Sequence, residues 1–153
     1  MKRKIFLSIL ISTLFFINCK SENKTSSDSK KSETTSVIQL TNEAFKKLVF
    51  NYDLNKEWKY EGNRPAIIDF YADWCAPCRQ LSPLVDEIAK EYANKIIVYK
   101  VDTEKEQILA QSMGITGLPT LLFIPAKGSP RMSMGFIQKE DLVKAVNEVL
   151  LLK

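Results

Sequence analysis

Ala66-Ile67-Ile68-Asp69-Phe70-Tyr71-Ala72-Asp73-Trp74-Cys75-Ala76-Pro77-Cys78-Arg79 sets an apolar run directly before two cysteines spaced two residues apart. An amphipathic stretch, 81–92, follows. That order predicts a buried strand, a tight turn and a helix whose N-terminus carries Cys75. A helix N-terminus holds unpaired backbone N–H groups and a partial positive charge. A thiol placed there ionises more easily. Cys75 is therefore predicted to be the exposed nucleophile. Cys78 lies one turn further in, within reach of a mixed disulfide formed on Cys75.

Other uses of a CxxC pair fit poorly. Structural zinc takes four ligands, but the chain has no His and its third cysteine, Cys19, is far upstream. No metal site is expected. Haem attachment needs His after the second Cys, where Arg79 stands. A purely structural disulfide would close too short a loop to stabilise the fold much. CxxC beside a β-α-β pattern is a redox signature.

The chain divides by composition into residues 1–18, 19–36 and 37–153. Lys2, Arg3 and Lys4 precede an apolar stretch, 5–17, broken only by Ser8, Ser12 and Thr13. That stretch is shorter than the roughly 20 residues a spanning helix needs. Its form is that of a secretory signal peptide. It ends at Phe16-Ile17-Asn18-Cys19, which resembles the cleavage box of bacterial lipoproteins with Cys19 as the lipidated residue. Phe16 and Asn18 depart from the usual Leu and small residue of that box. Residues 20–36 are polar throughout. Such a segment cannot bury enough surface to offset its ordering entropy, which predicts a disordered tether.

The net charge of +4 carries little information about partners. Of 22 Lys plus Arg and 18 Asp plus Glu, seven and three precede residue 37, leaving fifteen of each in the remainder. A nucleic-acid partner is therefore not expected. The five glycines form no phosphate-binding loop.

From residue 37 the chain has the size of one domain. Residues 37–40 are predicted to be a strand. Thr41 is placed to cap a helix through Phe50, with Glu43 in its first turn. Residues 51–65 form a polar connection whose Tyr52, Trp58 and Tyr60 are expected to pack it onto the core. Strands follow at Ala66–Tyr71, 96–101, Thr120–Ile124 and the edge segment Arg131–Met134. Helices are expected from Cys75, kinked at Pro83, over 104–113, and from Glu140-Asp141 onward. The order β-α-β-α-β-α-β-β-α predicts an α/β layer fold, a mixed sheet covered on both faces.

Three motifs now resemble one family. The run from Asp69 to Arg79 is similar to the active-site strand and turn of thioredoxins. Gly114-Ile115-Thr116-Gly117-Leu118-Pro119-Thr120 is similar to that family's cis-proline loop, and Gly135 to its late glycine. The run 100–106 and Phe123-Ile124-Pro125 most resemble exported thioredoxins of Bacteroides-type bacteria. The resemblance spans 37–153 and implies the thioredoxin fold, with no cofactor beyond the two cysteines.

Chemistry and resemblance together suggest the site. Asp69 sits in an otherwise apolar strand, so burial is expected to raise its pKa. It could then merely bond a backbone N–H; the resemblance implies instead that it takes and returns the proton of Cys78. Many thioredoxins carry Lys near this Asp on the next strand. The expected register places Val98 there, with Lys100 two residues on. The resemblance further implies a cis bond before Pro119, leaving the N–H and C=O of Leu118 free for an extended substrate. Trp74, Ala76, Pro77, Leu118, Met134 and Gly135 would form an apolar patch around the nucleophile.

The expected function is thiol–disulfide exchange by an exported, membrane-tethered monomer, catalysed by Cys75, Cys78, Asp69 and Pro119. Substrates would be exported proteins with disulfides. Electrons would come from a transmembrane thiol donor. Pro77 resembles reducing rather than oxidising relatives, which favours a protein-disulfide reductase. A disulfide oxidase or isomerase, and a non-enzymatic peptide-binding module, are the alternatives.

Overall fold

The computed structural model describes residues 37–150. The predicted signal segment, the tether and Cys19 lie outside the described residues. Strand β1 (Ile38–Gln39) leads into helix α1 (Asn42–Leu48), capped by Thr41, whose hydroxyl oxygen accepts the Ala44 N–H. Strand β2 (Ala66–Tyr71) is followed by helix α2 (Ala76–Glu91), strand β3 (Ile97–Asp102) and helix α3 (Gln107–Ser112). Strands β4 (Thr120–Ile124) and β5 (Arg131–Met134) precede helix α4 (Lys139–Ala145), which runs into a π-helical segment, Val146–Leu150.

The five strands form one sheet in the order β1-β3-β2-β4-β5. β1, β3 and β2 pair in parallel; β4 is antiparallel to β2, and β5 to β4. β2 lies at the centre. Alternate side chains of a strand face opposite ways, so β2 feeds two cores. Ile67 joins Leu81, Val85 and Ile88 of α2, with Leu142 and Val146 behind them. Ile68 and Phe70 join Phe45 of α1 and Leu109 of α3. The apolar positions of α2 recur at intervals of three and four, the spacing of one buried helix face. Phe70→Ala is expected to cost about 3–5 kcal/mol of stability, the range for a buried aromatic truncated in a packed core. A urea unfolding curve measures it.

Several expected boundaries shift. α2 begins at Ala76 rather than at Cys75, which caps it, and holds Pro83 within a single helical element. α3 begins at Gln107 rather than Glu104. The Asp102 carboxylate accepts the Glu104 N–H at 3.0 Å, and the Asp102 carbonyl accepts the Glu106 N–H at 2.9 Å. That turn takes the residues assigned to the helix start. The connection 51–65 packs inward as expected, with Trp58 4.8 Å from Phe50 between ring centres. No helix among the described residues is long and apolar enough to cross a membrane.

Candidate active site

β2 delivers the chain to the turn Ala72-Asp73-Trp74, and Cys75 caps α2. The Cys75 N–H bonds the Ala72 carbonyl at 3.1 Å. The Arg79 guanidinium donates to the Asp73 carbonyl at 2.9 Å, tying the first helical turn back to the loop. Pro77 stands in that first turn, where a missing N–H removes no helical bond. Cys75 and Cys78 form a disulfide with their Cα atoms 5.2 Å apart. Sγ of Cys75 also accepts the Cys78 N–H at 3.2 Å. The cap thus places sulfur where a helix terminus offers a donor and a partial positive charge.

Cys75 is not exposed, contrary to the expectation for a nucleophile: 3 % of its surface is accessible. As the cap it folds its sulfur back over the first turn, and Ala72, Tyr71 and Leu118 pack against the pair. The surface around it is formed by its neighbours. Trp74 is 67 % exposed, and Ala76 and Pro77 are exposed as well.

Asp69 is fully buried, and neither carboxyl oxygen has a hydrogen-bond partner. Desolvation is the main cause that pushes its pKa up to about 6; Lys100 opposes the rise and the Asp86 carboxylate adds to it. The expected register is corrected here. β2 and β3 align Asp69 with Lys100 and Ile67 with Val98. A slip of two residues keeps every side chain on its face, so the pattern of apolar positions could not reveal it. Lys100 Nζ stands 3.9 Å from Asp69 Oδ2. Lys100 and Cys78 line one cleft of about 380 Å³, together with Tyr71 and Ser82.

The Leu118–Pro119 peptide is cis and Pro119 is buried. Leu118 packs on the cysteine pair and, among the described residues, its backbone takes part in no turn or loop hydrogen bond. The Pro119 carbonyl accepts the Gly135 N–H at 2.8 Å. Gly135 has φ +91°, a conformation that suits glycine. Met134, 56 % exposed, opposes Thr120 in the β4–β5 ladder. Its sulfur lies over Gly117, where a Cβ would approach it to 2.9 Å. The structure therefore joins Leu118 to the cysteines and Met134-Gly135 to the proline loop.

Sequence reasoning missed Gly117 and Ser82 as parts of this region. Gly117 stood inside the proline-loop motif, but its contact with Met134 is tertiary. Ser82 gave no signal beyond its place one turn after Cys78. Among the described residues no cluster of His, Cys, Asp and Glu is suited to a metal.

A thioredoxin family model matches residues 36–148. A thioredoxin of Borreliella burgdorferi is 52 % identical over 110 residues, covering 70 % of this chain and 94 % of that protein. A thioredoxin of Pyropia yezoensis is 36 % identical over 115 residues, covering 75 % and 98 %. The crystal structure of chloroplastic thioredoxin z shares the fold, with a TM-score of 0.63 at 23 % identity over 74 % of this chain and 94 % of that one. With the helix-capping disulfide at its centre, the chain belongs to the thioredoxin family and is a thiol–disulfide oxidoreductase.

Proposed function

We propose that the domain reduces disulfides in exported proteins. The Cys75–Cys78 disulfide at the N-terminus of α2 is the observation that carries this reading. In the reduced form the Cys75 thiolate attacks one sulfur of a substrate disulfide. A mixed disulfide forms, and the first substrate sulfur leaves as a thiolate. Asp69 takes the proton of Cys78, whose thiolate attacks Cys75 Sγ. The Cys75–Cys78 bond forms as the second substrate sulfur leaves. Two electrons pass to the substrate, and the domain ends oxidised. An extended substrate pairs with the free backbone of Leu118 and rests on Trp74, Ala76, Pro77, Met134 and Gly135.

The direction is supported by Ala76-Pro77 between the cysteines. No His there stabilises the Cys75 thiolate further, so the dithiol remains a good electron donor. Equilibrium titration of the protein against glutathione tests it. A midpoint close to the thioredoxin value of about −270 mV is expected. A midpoint near about −120 mV, typical of strong disulfide donors, would assign an oxidase instead.

Export rests on the basic residues 2–4, the apolar stretch 5–17 and Cys19. In this reading Cys19 carries lipid, the polar segment after it tethers a monomeric domain at the periplasmic side of a bacterial membrane, and a transmembrane thiol protein regenerates the dithiol. The likeness to exported thioredoxins of Bacteroides-type bacteria belongs to the same reading. Cys19→Ala is expected to move the protein from the membrane fraction to the soluble one with its redox activity intact. A mature N-terminus other than a lipidated Cys19, found by mass spectrometry, would reject the anchor and leave the chemistry in place.

A further inference from the structure

Lys100 and Asp69 present a geometric puzzle. A cation stands 3.9 Å from a buried carboxyl, yet neither carboxyl oxygen receives a hydrogen bond. That distance is beyond hydrogen-bond range. The lysine has the reach to close it, being opposite Asp69 in the strand register. Something else holds its ammonium. Lys100 Nζ donates to the hydroxyl of Ser82 and sits 5.1 Å from the centre of the Tyr71 ring, a cation–π distance. Its side chain is mostly covered, so it does not swing freely into solvent.

Ser82 occupies a telling place on α2. Cys78, Ser82 and Asp86 fall at intervals of four and so share one face of the helix. The same helix that carries the second cysteine therefore holds the lysine. The charged groups around Asp69 are few. Lys100 faces it from β3 and Asp86 from α2; β4 presents apolar Leu121 opposite it. Of the other charges, Asp73 and Arg79 line the cleft, with the Arg79 guanidinium donating to the Asp73 carbonyl, and Asp102, beside Tyr71 in the register, pairs with Lys105 at 2.9 Å. Lys100 is thus the one group whose small displacement would change the charge felt by Asp69 most.

We propose that Ser82 is a positioning residue: its hydroxyl holds the Lys100 ammonium off Asp69 and so keeps that carboxyl able to take up a proton. The mechanistic value of this arrangement rests on the reading that Asp69 accepts the proton of Cys78. The arrangement itself is testable without that reading.

The test follows the Asp69 carboxyl by carbon-13 NMR across a pH titration of the full chain. In Ser82→Ala the ammonium loses its hydroxyl partner and closes on the carboxylate. Direct contact with an opposite charge depresses a carboxyl by roughly 1–3 units, so a fall of about one pH unit is expected. Ser82→Thr retains the hydroxyl and is expected to titrate as the wild type does. In the Lys100→Gln background Ser82→Ala is expected to change nothing, because the ammonium is gone. Alanine is a better helix former than serine, so Ser82→Ala is expected to fold. A titration that is unmoved or raised in Ser82→Ala overturns the proposal. So does a fall that persists with Lys100→Gln. The rate at which a mixed disulfide on Cys75 is resolved, measured in the same variants, separates the two ideas. A lowered Asp69 titration with an unchanged rate would uphold Ser82 and reject proton transfer through Asp69.

Discussion

Cys75→Ser is expected to bring dithiothreitol-driven insulin reduction down to the uncatalysed rate. The loss should be on the order of 10³-fold or more, as when a covalent catalyst loses its nucleophile. Serine preserves the cap, since its hydroxyl also accepts the N–H of residue 78, so the helix start survives. What disappears is the sulfur that attacks. Cys78→Ser behaves differently. Cys75 still opens the substrate disulfide, but no second thiol displaces the product. Mixed disulfides with substrate should then accumulate and show as adducts on a non-reducing gel. Full activity in Cys75→Ser would overturn the assignment of the nucleophile, whatever the second variant did.

Asp69→Asn has the next largest expected effect, and it has two separable parts. Burial raises the Asp69 pKa from 3.8 to about 6 in the folded chain. Between those values the folded state keeps a proton that the unfolded state has released. Stability is therefore greatest below the unfolded value and declines as pH rises towards 6. Above that, the ionised buried carboxylate costs the fold about 3 kcal/mol, at about 1.4 kcal/mol per pH unit. Asn carries no charge at any pH. The variant is expected to exceed the wild type by up to about 3 kcal/mol at pH 8, and to match it near pH 3.5. Urea unfolding at the two pH values measures the difference. A difference that does not vary with pH would show that Asp69 is not a desolvated acid.

The kinetic part concerns Cys78. Without a carboxylate to take its proton, resolution of the mixed disulfide is expected to slow by roughly 10²–10⁴-fold, the usual contribution of a positioned base. Stopped-flow release of substrate thiol measures this. A variant both more stable and slower would show a buried acid retained for chemistry at the expense of stability. Unchanged release would reduce Asp69 to a structural oddity.

The sequence by itself determined the order of elements and the chemistry. Strand β2 and the cap at Cys75 were legible because an apolar run, a CxxC pair and an amphipathic stretch each leave a local pattern. The disulfide partners followed from their spacing, and burial of Asp69 from its apolar neighbours. The motif at Pro119, read by resemblance, also named the loop beside the cysteines.

Tertiary structure decided the rest. Lys100, not Val98, faces Asp69, because strand register is a relation between two segments and a slip of two leaves the alternation intact. Cys75 is covered rather than exposed, because Leu118, distant in sequence, packs against it and the cap turns its sulfur inward. Gly117 leaves room for the Met134 thioether only once β4 and β5 pair. Ser82 meets Lys100 only when α2 lies across β3. Each of these depends on contacts between residues far apart along the chain. Local propensity and periodicity carry no information about such contacts, whereas packing against a common sheet fixes them.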